Sequence, residues 1–274
     1  MKMKLNGIIL AALCGITAFA GENIKFKADT RPAQKKLSSK KAITSLLILP
    51  ENLKQDRFCR ITVQIKMTSP GTIVSAVRRG NEKPLWRQTG MDAGWRNFSI
   101  YIAPGKAWNC SLGVSPKGNT FQVKDIRVEA LDEEDLTKNL LPPMKEIGWY
   151  SVWAKKEAKI GFEKSEDSPF GAEVLTAEIS EGTGYPATLG IPVVPGRTLV
   201  VSMWVKGEQK EAWLATIIGC GTKTFPVTGE WRKQELKFKV KAETPAVSDI
   251  VFWKNKNKKP LKCLFGKVEA CYEK

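Results

Sequence analysis

The chain has 274 residues, carries 44 Lys and Arg against 28 Asp and Glu for a formal charge of +16, and contains no His. That length suits one large domain or two of ordinary size, and 42% hydrophobic with 9% aromatic residues is neither a disordered, a collagenous nor a multi-span membrane composition. The missing His excludes Ser-His-Asp and Cys-His nucleophiles, His-ligated zinc and His acid–base chemistry. A carboxylate- or Lys-based enzyme, or a protein that binds without reacting, remains.

Residues 1–20 read as a secretory signal. Lys2 and Lys4 give a positive start, Leu5 to Ile16 an apolar run, and Ala18-Phe19-Ala20 a small-x-small cleavage site before Gly21. A secreted, periplasmic or cell-surface protein is expected. Cys14 leaves with the signal, and Cys59, Cys110, Cys220, Cys263 and Cys271 remain, an odd number with no CxxC pair. In an oxidising compartment Cys59 and Cys110, the cysteines of the N-terminal half, are the preferred disulfide. Buried, reduced cysteines throughout are the alternative.

Beyond the signal, the ordered-looking runs are short, β-branched or aromatic, and alternate with period two. Cys59–Met67, Thr72–Val77, Phe98–Ile102, Thr198–Lys206, Leu214–Ile218 and Gln234–Val240 are examples. Helical periodicity is confined to a turn or two near Asp132–Thr137. This pattern predicts an all-β fold of antiparallel sandwiches. An internal repeat points to two of them. Arg57–Lys66 matches Arg197–Lys206, Gly94-Trp95-Arg96 matches Glu230-Trp231-Arg232, and the closing run Asp125–Ala130 matches Gly266–Ala270. Leu46–Pro50 sits upstream as Ile191–Pro195 does. The expected organisation is a first sandwich over 21–130, an acidic linker at 131–137, and a second sandwich over 138–274.

The second repeat resembles the carbohydrate-binding modules of the jelly-roll superfamily that includes families four, nine and twenty-two. The resemblance lies in an ordered set of landmarks: Asn139-Leu140-Leu141-Pro142, then Gly148-Trp149, Tyr185, Val194-Pro195-Gly196-Arg197-Thr198, Gly229-Glu230-Trp231 and a terminal Val-Glu strand. It covers about 138–274 and, more weakly, 22–130. The resemblance implies tandem jelly rolls that bind glycans on one sheet or at loop tips, without catalysis. It also implies a structural calcium held partly by an Asp of the closing strand. Asp125 matches that place in the first repeat and Gly266 replaces it in the second. No other cofactor is expected.

Period two puts Leu199, Val201, Met203 and Val205 on one face of their strand, with Val200, Ser202, Trp204 and Lys206 on the other. Cys59, Ile61, Val63 and Ile65 take the first face in the first repeat, with Gln64 on the polar side. A sugar offers an apolar C–H face and a rim of hydroxyls, so its site needs exposed rings and polar side chains. Trp204 leads the candidates, followed by Trp253 and Tyr185, with Ser202 and Gln64 as polar partners. Trp86 and Trp108, near Arg78, Arg79 and Arg87, would suit an anionic partner. Trp95 and Trp231 recur in both copies and read as packing residues. The basic charge suits acidic poly- or oligosaccharides, and no nucleic-acid motif or basic helix is present. The alternative is a structural or adhesive envelope protein whose sandwiches bind other proteins. Scattered acids interleaved with Lys do not suggest the paired carboxylates of a glycosidase.

Overall fold

The structure is a computed structural model that describes residues 45–48, 57–67, 71–79, 85–91, 94–103, 108–115, 121–152, 159–171, 173–180, 185–188, 190–208, 210–217, 219–242, 247–254 and 260–274. Within these, side chains are described over 57–66, 94–103, 127, 129–149 and from 159 onward. The signal segment, and with it the expectation of export, lies outside the described residues.

The described strands form two sets of antiparallel sheets. The first half supplies β1 (Ser45–Ile48), β2 (Cys59–Met67), β3 (Gly71–Arg79), β4 (Leu85–Met91), β5 (Gly94–Ile102), β6 (Trp108–Ser115) and β7 (Phe121–Ala130). They form one sheet in the order β1-β6-β3-β4 and another in the order β5-β2-β7. The acidic segment that follows folds into a single helical turn, α1 (Glu133–Leu136), and a 3-10 turn occupies Met144–Glu146. Asp132 and Asp135 close a reciprocal capping box on α1.

The second half contains β8 (Tyr150–Val152), β9 (Lys159–Lys164), β10 (Glu173–Ile179), β11 (Tyr185–Ala187), β12 (Ile191–Pro192), β13 (Thr198–Gly207), β14 (Glu211–Ile217), β15 (Gly221–Val227), β16 (Arg232–Lys239), β17 (Val247–Ser248), β18 (Ile250–Trp253) and β19 (Leu261–Tyr272). Two five-stranded sheets, β16-β13-β19-β10-β9 and β15-β14-β18-β11-β8, face each other, and β12 pairs with β17 apart from them. Each ladder joins strands of the same half.

Alternation places the core as the sequence suggests. Leu199, Val201, Met203 and Val205 are fully buried, as are Ile61, Val63 and Ile65 in the first half. Between the two large sheets runs a network of tilted and edge-on rings, Trp213 against Phe265, Phe265 against Phe252, and Phe252 against Phe225 and Trp149. Trp149 is buried, its Nε1 donating to the Met144 carbonyl at 3.0 Å.

The landmarks of the second repeat have mechanical roles. The Asn139 side-chain oxygen accepts from the backbone N–H of Leu141 (3.1 Å) and of Ala270 (3.0 Å), stitching the start of this half onto β19. Pro195-Gly196 turns the chain into β13 with Gly196 at φ 82°, a conformation that resists a side chain. The Tyr272 hydroxyl donates to the Pro192 carbonyl (3.0 Å) and accepts from the Val194 N–H (2.7 Å), pinning β12 to the last strand.

The halves touch through the outward face of β5. The Tyr101 hydroxyl donates to the Leu140 carbonyl, Asn97 Nδ2 donates to both Glu146 carboxylate oxygens (3.2 Å each), and Tyr101, Leu131 and Leu136 join the core cluster of the second half.

Strand registers make the repeat explicit and correct part of it. The β2–β7 ladder slips between Thr62 and Gln64, and the β13–β19 ladder slips between Ser202 and Trp204. These are matching places in the two copies, so each central strand faces a β-bulge. Across the bulge Gln64 pairs with Lys124 and Trp204 with Gly266. Gly266 therefore answers to Lys124, and Asp125, in the first bulge, answers to Lys267 in the second, one residue from the match expected by sequence. The Leu46–Pro50 match is corrected too: β1 pairs with β6 as β11 pairs with β18, whereas β12 forms a separate ladder.

Candidate functional site

The expected ligand residues of the second half fall on opposite faces of its sandwich. Tyr185 on β11 and Trp253 on β18 share the outward face of one large sheet, and Trp204 and Ser202 on β13 stand on the outward face of the other. Strand order thus divides the candidates between two sheets.

Antiparallel pairing of Ala187 with Val251 brings Tyr185 and Trp253 level two residues further along the ladder. Their rings meet edge-on with centroids 6.4 Å apart. Each polar atom is tied down: the Tyr185 hydroxyl donates to the Lys254 carbonyl at 2.9 Å, and Trp253 Nε1 donates to Thr216 Oγ1 at 2.7 Å. Partial burial pushes the Tyr185 phenol up from its ordinary value. Both side chains remain half-buried, so their rings are held in fixed orientation with part of their surface open. Leu214 lies beside Trp253 in register, with Thr224 beyond it on the edge strand β15. Thr216 and Thr222 share a 2.8 Å hydroxyl contact one row away. On β14 and β15 this face presents Ala212, Leu214, Thr216, Thr222, Thr224 and Pro226, none of them charged. Its other end is closed, since Ala187 and Val251 are fully buried.

The second cluster centres on Trp204. Phe170, carried by the β9–β10 connection, rests the tip of its ring on Gly266, where an added Cβ would come 1.7 Å from Cζ. Its centroid is 6.0 Å from that of Trp204 and 5.2 Å from that of Trp231, the latter edge-on. Trp231 Nε1 donates to Asp167 Oδ1 (3.2 Å), Ser165 Oγ donates to the same oxygen (2.7 Å), and Lys206 pairs with Asp167 Oδ2. Lys206 first, then Ser165 and Trp231, hold the Asp167 carboxyl well below the usual carboxylate range. Phe170, Asp167 and Trp231 are the residues that sequence reasoning missed here. Trp231, which reads from its recurrence as a packing residue, packs on Phe170 while half-buried on this outer face; Trp95, its counterpart, is 39% exposed. The available signal was Pro169-Phe170-Gly171, a ring between turn residues, combined with a glycine in a long apolar strand.

Ser202 Oγ lies 3.5 Å from Glu269 on the same sheet. Gln64 is half-buried beside Asn97, whose amide is engaged by Glu146, so the neighbourhood of Gln64 serves contact between the halves. The side chains of Trp86, Trp108, Cys110 and Asp125 lie outside the described residues. Cys59 is buried on β2, and no disulfide joins two described cysteines, which leaves the Cys59–Cys110 bridge outside what is described. For calcium, the second half places Lys267, a cation, at the bulge where Asp125 stands in the first, so these residues do not fit the ion. Among the described residues no group of three or more His, Cys, Asp or Glu could hold a metal.

No family model and no curated protein matches the chain. Among solved structures, a tandem of two family 22 carbohydrate-binding modules from Paenibacillus barcinonensis is similar at 12% identity and TM-score 0.37, over 95% of this chain and 100% of that one. A family 4 module is similar at 15% identity and TM-score 0.34, over 42% of this chain and 78% of its own. An arabinose-bound α-L-arabinofuranosidase is similar at 14% identity and TM-score 0.42, over 52% of this chain and 27% of the enzyme. What this chain binds is read below from its own side chains.

Proposed function

We propose that the outward face carrying Tyr185 and Trp253 binds a neutral poly- or oligosaccharide, and that the chain is an exported, non-catalytic carbohydrate-binding protein. The supporting observation is the edge-on ring pair, whose polar atoms are satisfied within the protein while ring surface stays open. Such rings stack on the C–H face of a pyranose at little ordering cost, because they are already immobile. The Thr222 and Thr224 hydroxyls, both exposed on the flanking strand, can meet the sugar's own hydroxyls. A neutral ligand is favoured over the acidic one suggested by total charge, because the side chains that β14 and β15 present on this face are uncharged. Lys254 and Glu211, near the same end of the sheet, neutralise each other as an ion pair.

Affinity electrophoresis tests this reading. The full chain is run through gels containing soluble xylan, mixed-linkage β-glucan, galactomannan, a polyuronate and a sulfated glycan. Retardation by at least one neutral polymer is expected, weakened about tenfold or more in Tyr185→Ala and Trp253→Ala. Retardation only by the acidic polymers, abolished by salt and unchanged in both variants, would show charge acting alone. No retardation by any polymer would favour the adhesive alternative.

A further inference from the structure

We propose a second saccharide site on the opposite face of the same sandwich, formed by Trp204, Trp231 and Phe170 with Asp167 and Lys233, so that one chain can bridge two glycan strands. The proposal rests on the reading of the Tyr185–Trp253 face as a sugar site and adds a contact that none of the observations there requires.

Three half-buried rings gather on the outer surface of the β16-β13-β19 sheet around Gly266, the one place where the strand lacks a side chain to separate them. Had the cluster served burial alone, its rings would be sealed, as Trp213 and Phe252 are at 1% and 0% exposure. Here ring surface remains open beside polar groups of both signs. Lys233, exposed, stands directly across from Trp204 in the β13–β16 register. Asp167 is exposed and held ionised by its donors, so it remains an acceptor through mildly acidic conditions. The Lys206 ammonium is only partly used by Asp167, since it carries three donors. The connection carrying Phe170 also buries the Ser168 hydroxyl with no partner, the one side-chain polar atom so placed among the described residues.

Rings next to a paired carboxylate and ammonium match a neutral polyol: the C–H face meets indole, and neighbouring hydroxyls donate to the acid and accept from the amine. A strongly anionic unit would meet Asp167, Glu166, Glu230 and Glu235, all exposed around the same surface. The two proposed sites lie on outward faces of sheets whose inward faces share one core. They therefore point away from each other, and a single strand of polymer does not fill both.

The test uses the full chain and whichever of xylan, mixed-linkage β-glucan and galactomannan retards it. Retardation is compared for Trp204→Ala, Lys233→Ala, Trp253→Ala and the Trp204→Ala/Trp253→Ala double variant. Light scattering of the same polymer with each protein reads bridging. Each tryptophan single variant is expected to keep a weakened, roughly tenfold-reduced interaction and to lose bridging, and the double variant to lose both. Lys233→Ala changes only an exposed side chain, so its expected loss of about threefold is free of folding effects. Abolition of all binding by Trp253→Ala, with Trp204→Ala and Lys233→Ala behaving as the unmodified chain, would overturn the second site and leave the first intact. Absence of retardation by every polymer would overturn both.

Discussion

Gln64 and Trp204 occupy equivalent places, each on the central strand of a sheet and just past a bulge in the neighbouring ladder. Around Gln64 the chain sets Lys124 and packs the Asn97–Glu146 contact between halves; around Trp204 it sets Gly266 and lays Phe170 into the space. The other sheets diverge in the same way. β3 and β14 each pair their first residue with the last residue of the next strand, Gly71 with Met91 and Glu211 with Val227. On that alignment the row Val74, Gly113 and Ser45 answers to Leu214, Trp253 and Tyr185. One scaffold thus carries small residues where its twin carries rings. The lesson is that the bulge and strand order belong to the fold, whereas ring placement distinguishes one copy from the other.

The largest effects should come from the aromatic core, which the first half does not share in register: Trp213 stands where Ile73 does. Trp213→Ala is expected to cost about 3–5 kcal/mol by cavity formation, measured by denaturant unfolding. A cost under about 1 kcal/mol would show that the ring network adds little. Next comes Tyr272, whose place in the first half is taken by Ala130. Tyr272→Phe strips partners from the Val194 N–H and the Pro192 carbonyl and should cost about 2 kcal/mol.

The same residue gives a pH signature. Burial pushes the Tyr272 phenol from 10.0 up to about 12. Its contribution is complete below the ordinary value and is lost as pH rises from there through about 12, because only the unfolded chain ionises readily in that window. The unmodified protein should therefore lose stability over that range more steeply than Tyr272→Phe. Parallel curves would contradict the assignment.

Giving the second half the first half's residue at the bulge, Gly266→Lys, should drive Phe170 off the sheet. The expected cost is about 1 kcal/mol, since the ring sits on a connection that can move. Trp204 emission should shift to the red, and an unshifted spectrum would mean that Phe170 does not shield it. The smallest effect concerns Asp167, held below its ordinary 3.8. A depressed carboxylate contributes above the unfolded value and is lost only as pH falls through the lower folded one. Trp231 emission should stay constant from neutral pH down to about 4 and change only in stronger acid. Asp167→Asn should remove that acid step.

How much of this was legible in the sequence follows from the distance over which each feature acts. Alternation in Leu199–Val205 and Cys59–Ile65 is a property of single strands, so the buried faces could be read directly. The Trp95–Trp231 match survives because both residues sit at the same register against the central strand, each partly open to solvent. The closing-strand match slipped because Val128-Glu129-Ala130 and Val268-Glu269-Ala270 look alike in sequence, while the ladders set Val128 opposite Ile61 and Ala270 opposite the equivalent Val201. That Trp204 and Trp253 stand on different sheets was not legible for a different reason. Both lie on the outward side of their strands, but which sheet a strand joins depends on pairings far along the chain. Phe170 was missed because its role depends on Gly266, almost a hundred residues away, having no side chain.

The most direct measurement is nuclear magnetic resonance of the indole N–H groups during titration with an oligosaccharide of the neutral polymer that binds. The Trp253 signal, assigned by its disappearance in Trp253→Phe, should move with saturation, while buried Trp213 and Trp95 in the first half stay in place. Movement confined to the first-half tryptophans, with Trp253 unperturbed at saturation, would contradict the account.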